Sequence, residues 1–341
     1  MPTLEKNALV FRFPKSAGKA KFSVDFQRTL RIPDSDKDYP LPPGLGRFPL
    51  RHVEDYPNLP AQTRQRGGIV LPVWQSEAIW LNFNGGSRSN PPFAIKVAAG
   101  KINAVTGEQW STPLNRNPQD YMVWPEQPWL DGFAIAPGVI RQFVAMPLGE
   151  GYSVEEQLTG EAEWGGLQIS VTPMRREAWE RRQESLWTGL EEVSFCFLET
   201  PMASDEMSLG AGGRMQQVIE EDPYDLEDWD MRATQRVFVT LWHASRWKDL
   251  TGEAAPNAAP SAQDYARSGL PWYAHYATDQ KPLPGSGALD SVRSVADLHK
   301  DKTGATLPGS QDVTPGPVVH LAPDRTPEQE TPREVKSDDS W

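Results

Sequence analysis

A chain of 341 residues is long enough for one large domain or two ordinary ones, and its 38% hydrophobic and 23% charged residues describe a globular protein on the polar side. The formal net charge of −12 makes a broad nucleic-acid interface unfavourable, because such binding rests on neutralising phosphates with Lys and Arg. A single cysteine, Cys196, excludes an internal disulfide, and no apolar run approaches the roughly 18 residues of a membrane span, so the expectation is a soluble, cytoplasmic protein.

The first strand candidates are ALVFRF and KFSVDFQRTLRI; in the second, Phe22, Val24 and Phe26 alternate with Ser23, Asp25 and Gln27. The stretch DYPLPPGLGRFPL, with Pro40, Pro42, Pro43 and Pro49, forbids helix and predicts extended chain over the domain surface. Strands follow in QRGGIVLPVWQSEAIWLNF, then a turn at Asn84, Gly85 and Gly86, then PPFAIKVAAGKINAVTG. QDYMVW, DGFAIAPG, IRQFVAMP and GGLQISVTP continue the series to residue 173. Lys96, between Ile95 and Val97, reads as a solvent-facing residue of a half-exposed sheet.

Thr-Gly-Glu recurs at Thr106, Thr159 and Thr251 with unequal spacing and different flanks, which predicts three glycine turns rather than a repeat architecture. Helices are expected in MRREAWERRQESLWTGL, capped by Thr172 and Pro173, in RMQQVIEED, and from Ser261 with Asp264 as a capping pair. Cys196, between two phenylalanines, reads as a buried inert thiol. RVFVTLWH, residues 236 to 243, is apolar throughout and reads as a central strand covered on both faces.

From residue 282 Pro, Gly, Ser, Asp, Thr and Glu dominate. The domains expected are therefore a β-rich globular unit over 1–281, a linker with a possible short helix over 282–302, and a disordered acidic tail over 303–341. The fold class expected is mainly β, antiparallel and sandwich-like, with two or three peripheral helices, against an α+β alternative.

No P-loop, dinucleotide fingerprint, HExxH, paired CxxC or GxSxG is present, and no cofactor or metal is expected. The richest polar and aromatic segment is PQDYMVWPEQPWLDG. It offers Asp120, Glu126 and Asp131 as carboxylates for a hydrolase acting on a polar substrate such as a glycan, while Tyr121, Trp124, Trp129 and Arg141 are candidate ligand contacts. The preferred reading is a non-enzymatic binding or assembly protein that uses an aromatic β surface, drawn from the 13 tryptophans and the missing catalytic motifs. Its partner is an unidentified protein or small polar ligand, and its oligomeric state is open.

The segments PFAIKVAAGKINAVTGE, PQDYMVWPEQPWLDG and VIRQFVAMPLGEGYSVEEQLTGEAEWGGLQI resemble stretches in a group of bacterial and fungal proteins with no assigned function. The resemblance covers about residues 93–173, implies a shared domain and carries no catalytic residue with it.

Overall fold

Apolar side chains at every second position fold this chain into strands, and the strands stack into two layers around one interior. The structure, a computed structural model, describes residues 2–16, 20–35, 37–86, 90–183, 206–275 and 281–321. In chain order, β1 (Thr3–Glu5), β2 (Ala8–Phe13) and β3 (Ala20–Thr29) form an antiparallel meander, with Phe11 opposite Phe22. The proline-rich stretch holds β4 (Asp38–Tyr39), β5 (Gly44–Arg47) and β6 (Arg51–His52). It is extended as expected but does not merely cover the surface, since Leu41, Phe48 and Leu50 insert into the core.

The short helix α1 (Ala61–Arg66) leads into β7 (Ile69–Val73), β8 (Ala78–Asn84), β9 (Phe93–Ala99) and β10 (Ile102–Asn103). Next come β11 (Met122–Trp124), β12 (Trp129–Leu130), β13 (Gly132–Ala136), β14 (Val139–Pro147), α2 (Val154–Thr159) and β15 (Leu167–Pro173). Helix α3 (Arg176–Gln183) starts late because Thr172 and Pro173 are still paired with Ala94 and Phe93 in the sheet; the rest of that expected helix and Cys196 lie outside the described residues. The remaining elements are β16 (Glu206–Gln216), β17 (Gln235–His243), α4 (Trp247–Thr251), α5 (Ala262–Arg267), β18 (Trp272–His275), α6 (Gly287–Asp290), α7 (Val295–Thr303) and β19 (Val318–Leu321). Ser261 caps α5 by accepting from the Asp264 amide, as its sequence predicts.

All strands but β18 and β19 join one hydrogen-bonded network that folds over on itself. One layer runs β2–β3–β8–β14–β16, the other β7–β17–β15–β9–β11. They meet where Glu206 and Met207 pair with Trp242 and Leu241. The architecture is mainly β, antiparallel and sandwich-like. Alternate residues of facing strands fill the space between layers: Phe22, Val24 and Phe26 on β3, Ile95 and Val97 on β9, Ile169 and Val171 on β15. Phe22 and Phe93 meet across it with ring centres 4.7 Å apart. Each such buried side chain contributes about 1.5–3 kcal/mol of transfer free energy.

Three expectations need correction. Residues 214–222 are not helical: Arg214 and Met215 continue β16, pairing with Arg141 and Ile140, and irregular chain follows. The glycine-rich strand is required there, because a Cβ on Gly213 would lie 2.3 Å from the Pro33 carbonyl oxygen. Second, residues 236–243 are covered on both faces only at their end. Val237, Val239 and Leu241 face the core, but Arg236 is exposed and Phe238 and Thr240 are half-buried.

Third, the domain does not stop near residue 281. Leu283, Leu289, Val292, Val295 and Leu307 are buried, Arg31 donates to the Pro308 carbonyl (2.6 Å) and Ser310 Oγ (2.9 Å), and β19 pairs in parallel with β18. Residues 281–321 therefore belong to the domain, and the part of the expected disordered tail over 303–321 is an ordered strap. Leu307 fills a socket although apolar residues are sparse around it, Val318 and Val319 stay exposed on β19, and polar contacts of Arg31 and Lys37 hold the chain between them. Residues 322–341 lie outside the described residues. The three Thr-Gly-Glu turns hold, with Gly107, Gly160 and Gly252 all at positive φ.

Candidate functional site

On the outer face of β9, β15 and β17, the residues between the core positions stand in rows. Register places Lys96 beside Ser170 and Ser170 beside Arg236; the next row is Ala98, Gln168 and Phe238. The middle positions are small or polar, which leaves room for side chains from the connecting loops to lie across the sheet.

Two tryptophans do so. Trp110 lies against both cations of the first row, with its ring centre 5.4 Å from Lys96 Nζ and 5.0 Å from the Arg236 guanidinium carbon. The same guanidinium sits 4.5 Å from the ring centre of Phe238. Trp164 stacks on Phe238 at 6.0 Å and 10°, and Arg66, at the end of α1, lies 5.8 Å from the Trp164 ring. Cations and rings thus form one continuous row across the sheet: Lys96, Trp110, Arg236, the stacked pair Phe238 and Trp164, and Arg66. Each cation–ring contact contributes about 0.5–1 kcal/mol at exposed sites and about 2 when desolvated.

The members of this ladder differ in electrostatic state. Lys96 is fully buried, contrary to the solvent-facing expectation; it donates to Ser111 Oγ (3.1 Å) and the Pro113 carbonyl (2.8 Å) and pairs with Asp120 Oδ2 at 2.5 Å. Its charge is neutralised inside the protein. Arg236 donates to the Gln168 side chain, and Arg66 to the Trp164 carbonyl. Neither arginine has a carboxylate partner among the described residues. Desolvation against the rings holds the Arg236 guanidinium below its ordinary pKa. Ser170 Oγ, between Lys96 and Arg236, and Trp110 Nε1 are buried without hydrogen-bond partners among the described residues.

The cleft at the Arg66 end, lined by Trp164, Glu206, Phe238 and Thr240, encloses about 10 Å³. That is room for roughly one water molecule, so the ladder is a surface and not a small-molecule pocket. A wider groove of about 410 Å³ runs between β4, β18 and the strap, but its charged lining residue Asp38 is already paired with Arg214 at 2.8 Å.

The segment 118–132 lies mostly in the interior. Asp120 neutralises Lys96. Tyr121 is buried and donates to Asp222 Oδ2 (2.5 Å), which also accepts from Trp229 Nε1 (2.9 Å). Burial and the Asp222 carboxylate both push the Tyr121 phenol up. Trp124 packs in the core against Phe22 and Phe93. Glu126 accepts from Tyr224 OH at 3.2 Å. Trp129, half-buried, donates to Asp131, whose carboxyl burial pushes up to about 7, the indole opposing. Arg141 is half-buried on β14, opposite Arg214 and Phe133. The three carboxylates thus serve three different partners, and neither cavity described above is lined by any of them.

Sequence reasoning missed Phe238 and Arg236 because the apolar run 236–243 hid its own alternation, though Arg236 and Thr240 were polar marks on one face. Trp110 and Trp164 each follow a Thr-Gly-Glu turn, and that shared context was the available signal. No family model matches the chain, and no curated protein or solved structure matches it. The class that fold and site define is a sandwich-like β protein with a cation–aromatic outer face.

Proposed function

We propose that this chain is a non-enzymatic binding protein whose recognition surface is the outer face of β9, β15 and β17. The observation that supports this is the ladder itself: stacked rings and two arginines without a carboxylate partner among the described residues, on a sheet, beside a cleft of about 10 Å³. Aromatic and arginine side chains are the residue types that dominate binding energy at protein interfaces.

A displayed random-peptide library panned against the full chain tests the reading. Enriched peptides should lose binding to Phe238→Ala and keep it with Lys248→Ala, a change on the exposed part of α4, while both variants retain the wild-type thermal midpoint. Absence of enrichment, or binding indifferent to Phe238, overturns it.

The alternative, a hydrolase acting on a polar substrate through Asp120, Glu126 or Asp131, draws support from Asp131, whose raised pKa suits a general acid. Hydrolysis of a chromogenic glycoside that disappears in Asp131→Asn would favour it.

A further inference from the structure

We infer that the occupant of the cation–aromatic face is an acidic, extended segment of a protein that places one carboxylate on Arg236 and a second on Arg66. This rests on the binding reading above and narrows it to a partner chemistry. A guanidinium held against two rings is fixed in place, and its planar N–H fork suits a two-point contact with a carboxylate. Arg236 is so held, is exposed, and spends one nitrogen on Gln168. The charges of Lys96 and Lys101 are met by Asp120, Glu161 and Glu163, whereas those of Arg236 and Arg66 are not met by any described carboxylate. The buried Ser170 hydroxyl, without a partner between Lys96 and Arg236, adds a polar group to the same row.

The geometry sets a spacing. From Arg236 to Phe238, on to Trp164 and then to Arg66, the steps are 4.5, 6.0 and 5.8 Å. An extended chain rising ~3.3 Å per residue covers that path in about five residues. Because successive side chains of an extended chain face opposite sides, the two acidic residues that share a face within this path stand four positions apart, with an apolar side chain between them over Phe238 and Trp164. The net charge of −12 disfavours a nucleic acid as the source of the anions.

The test uses the full chain and fluorescein-labelled heptapeptides read by anisotropy. One peptide carries Glu at its first and fifth positions, which share a face of an extended chain, with Val and Thr between; a second has Gln at both; a third has its two Glu adjacent. A ten-residue oligothymidylate is the nucleic-acid probe. The spaced Glu peptide should bind about tenfold more tightly than the Gln peptide and more tightly than the adjacent pair. Arg236→Gln should remove that advantage, and Arg236→Lys, which keeps the charge but loses the planar fork, should restore part of it. Equal affinity for the Glu and Gln peptides overturns the inference, as does tighter Arg236-dependent binding of oligothymidylate. Library peptides that need Phe238 yet carry no acidic residue would leave the binding surface standing and remove its acidic specificity; failure to select any peptide would remove the surface itself.

Discussion

Burial acts on individual ionisable side chains here in opposite directions. Asp131 is 5% exposed and its carboxyl is raised to about 7, so the fold favours its neutral form. Between the ordinary Asp value of about 3.9 and 7 the folded protein holds a proton that the unfolded chain has released, and stability falls as pH rises through that window. The loss is on the order of 4 kcal/mol if Asp131 acts alone. Asp131→Asn, which can still accept from Trp129, should therefore raise the thermal midpoint at pH 8 and leave it nearly unchanged at pH 4. His243 works the other way. It is fully buried against the Trp74 ring, accepts from the Ser245 amide, and is held down at about 3 by desolvation, with Arg246 adding to the effect. The unfolded chain takes up a proton there below its ordinary value of about 6.5, so stability is lost as pH falls from there toward 3. His243→Asn, which keeps an acceptor for Ser245, should flatten the acid limb of a plot of midpoint against pH; an unchanged acid limb would assign that limb to other groups.

Elements were readable from sequence where side-chain alternation was simple. β3 shows it in Phe22, Val24 and Phe26, and α5 is announced by Ser261 and Asp264. What could not be read depended on partners far along the chain. Lys96 looks exposed until Asp120, Ser111 and the Pro113 carbonyl arrive beside it. β16 reads as a helix at its end because local sequence does not reveal that Pro33 crosses close to Gly213. The aromatic segment 118–132 was conspicuous, yet most of its groups are spent on internal partners such as Asp222 and Lys96. The strap gives the corresponding stability prediction. Leu307 is 4% exposed, and Leu307→Ala should cost about 2–5 kcal/mol, as for other buried leucines. Truncation after Gly304 removes Leu307, the two strap acceptors of Arg31 and β19 together, and should lower the midpoint by several degrees more than Leu307→Ala alone. A truncated protein that melts with the full chain would show that the strap carries no stability.

Across the whole molecule, one apolar cluster links both layers and reaches into the late segment through Leu283, Leu289 and Val292. A single shared core predicts a single cooperative transition. Denaturant unfolding followed by tryptophan emission and by far-ultraviolet circular dichroism should give coincident curves, and separated midpoints would mean that part of the sandwich melts independently. The acidic balance of the chain keeps its surface repulsive toward polyanions while the ladder holds two arginines in a fixed place, so a partner is met by local complementarity rather than by net charge.

The strap also bears on how the protein is made. Arg31 is nearly fully buried, and besides Asp34 its acceptors are Pro308 and Ser310, more than 270 positions further along the chain. During synthesis the meander containing Arg31 emerges long before those acceptors exist. A nascent chain shorter than about 310 residues must therefore leave that guanidinium in water or hold it buried with the donors not taken by Asp34 unmet, at a cost of roughly 1–3 kcal/mol. The last contacts of the buried Arg31 thus form only after the strap leaves the ribosome. The early strands would spend most of translation as an unfinished sheet, a natural client for chaperones that bind exposed β edges.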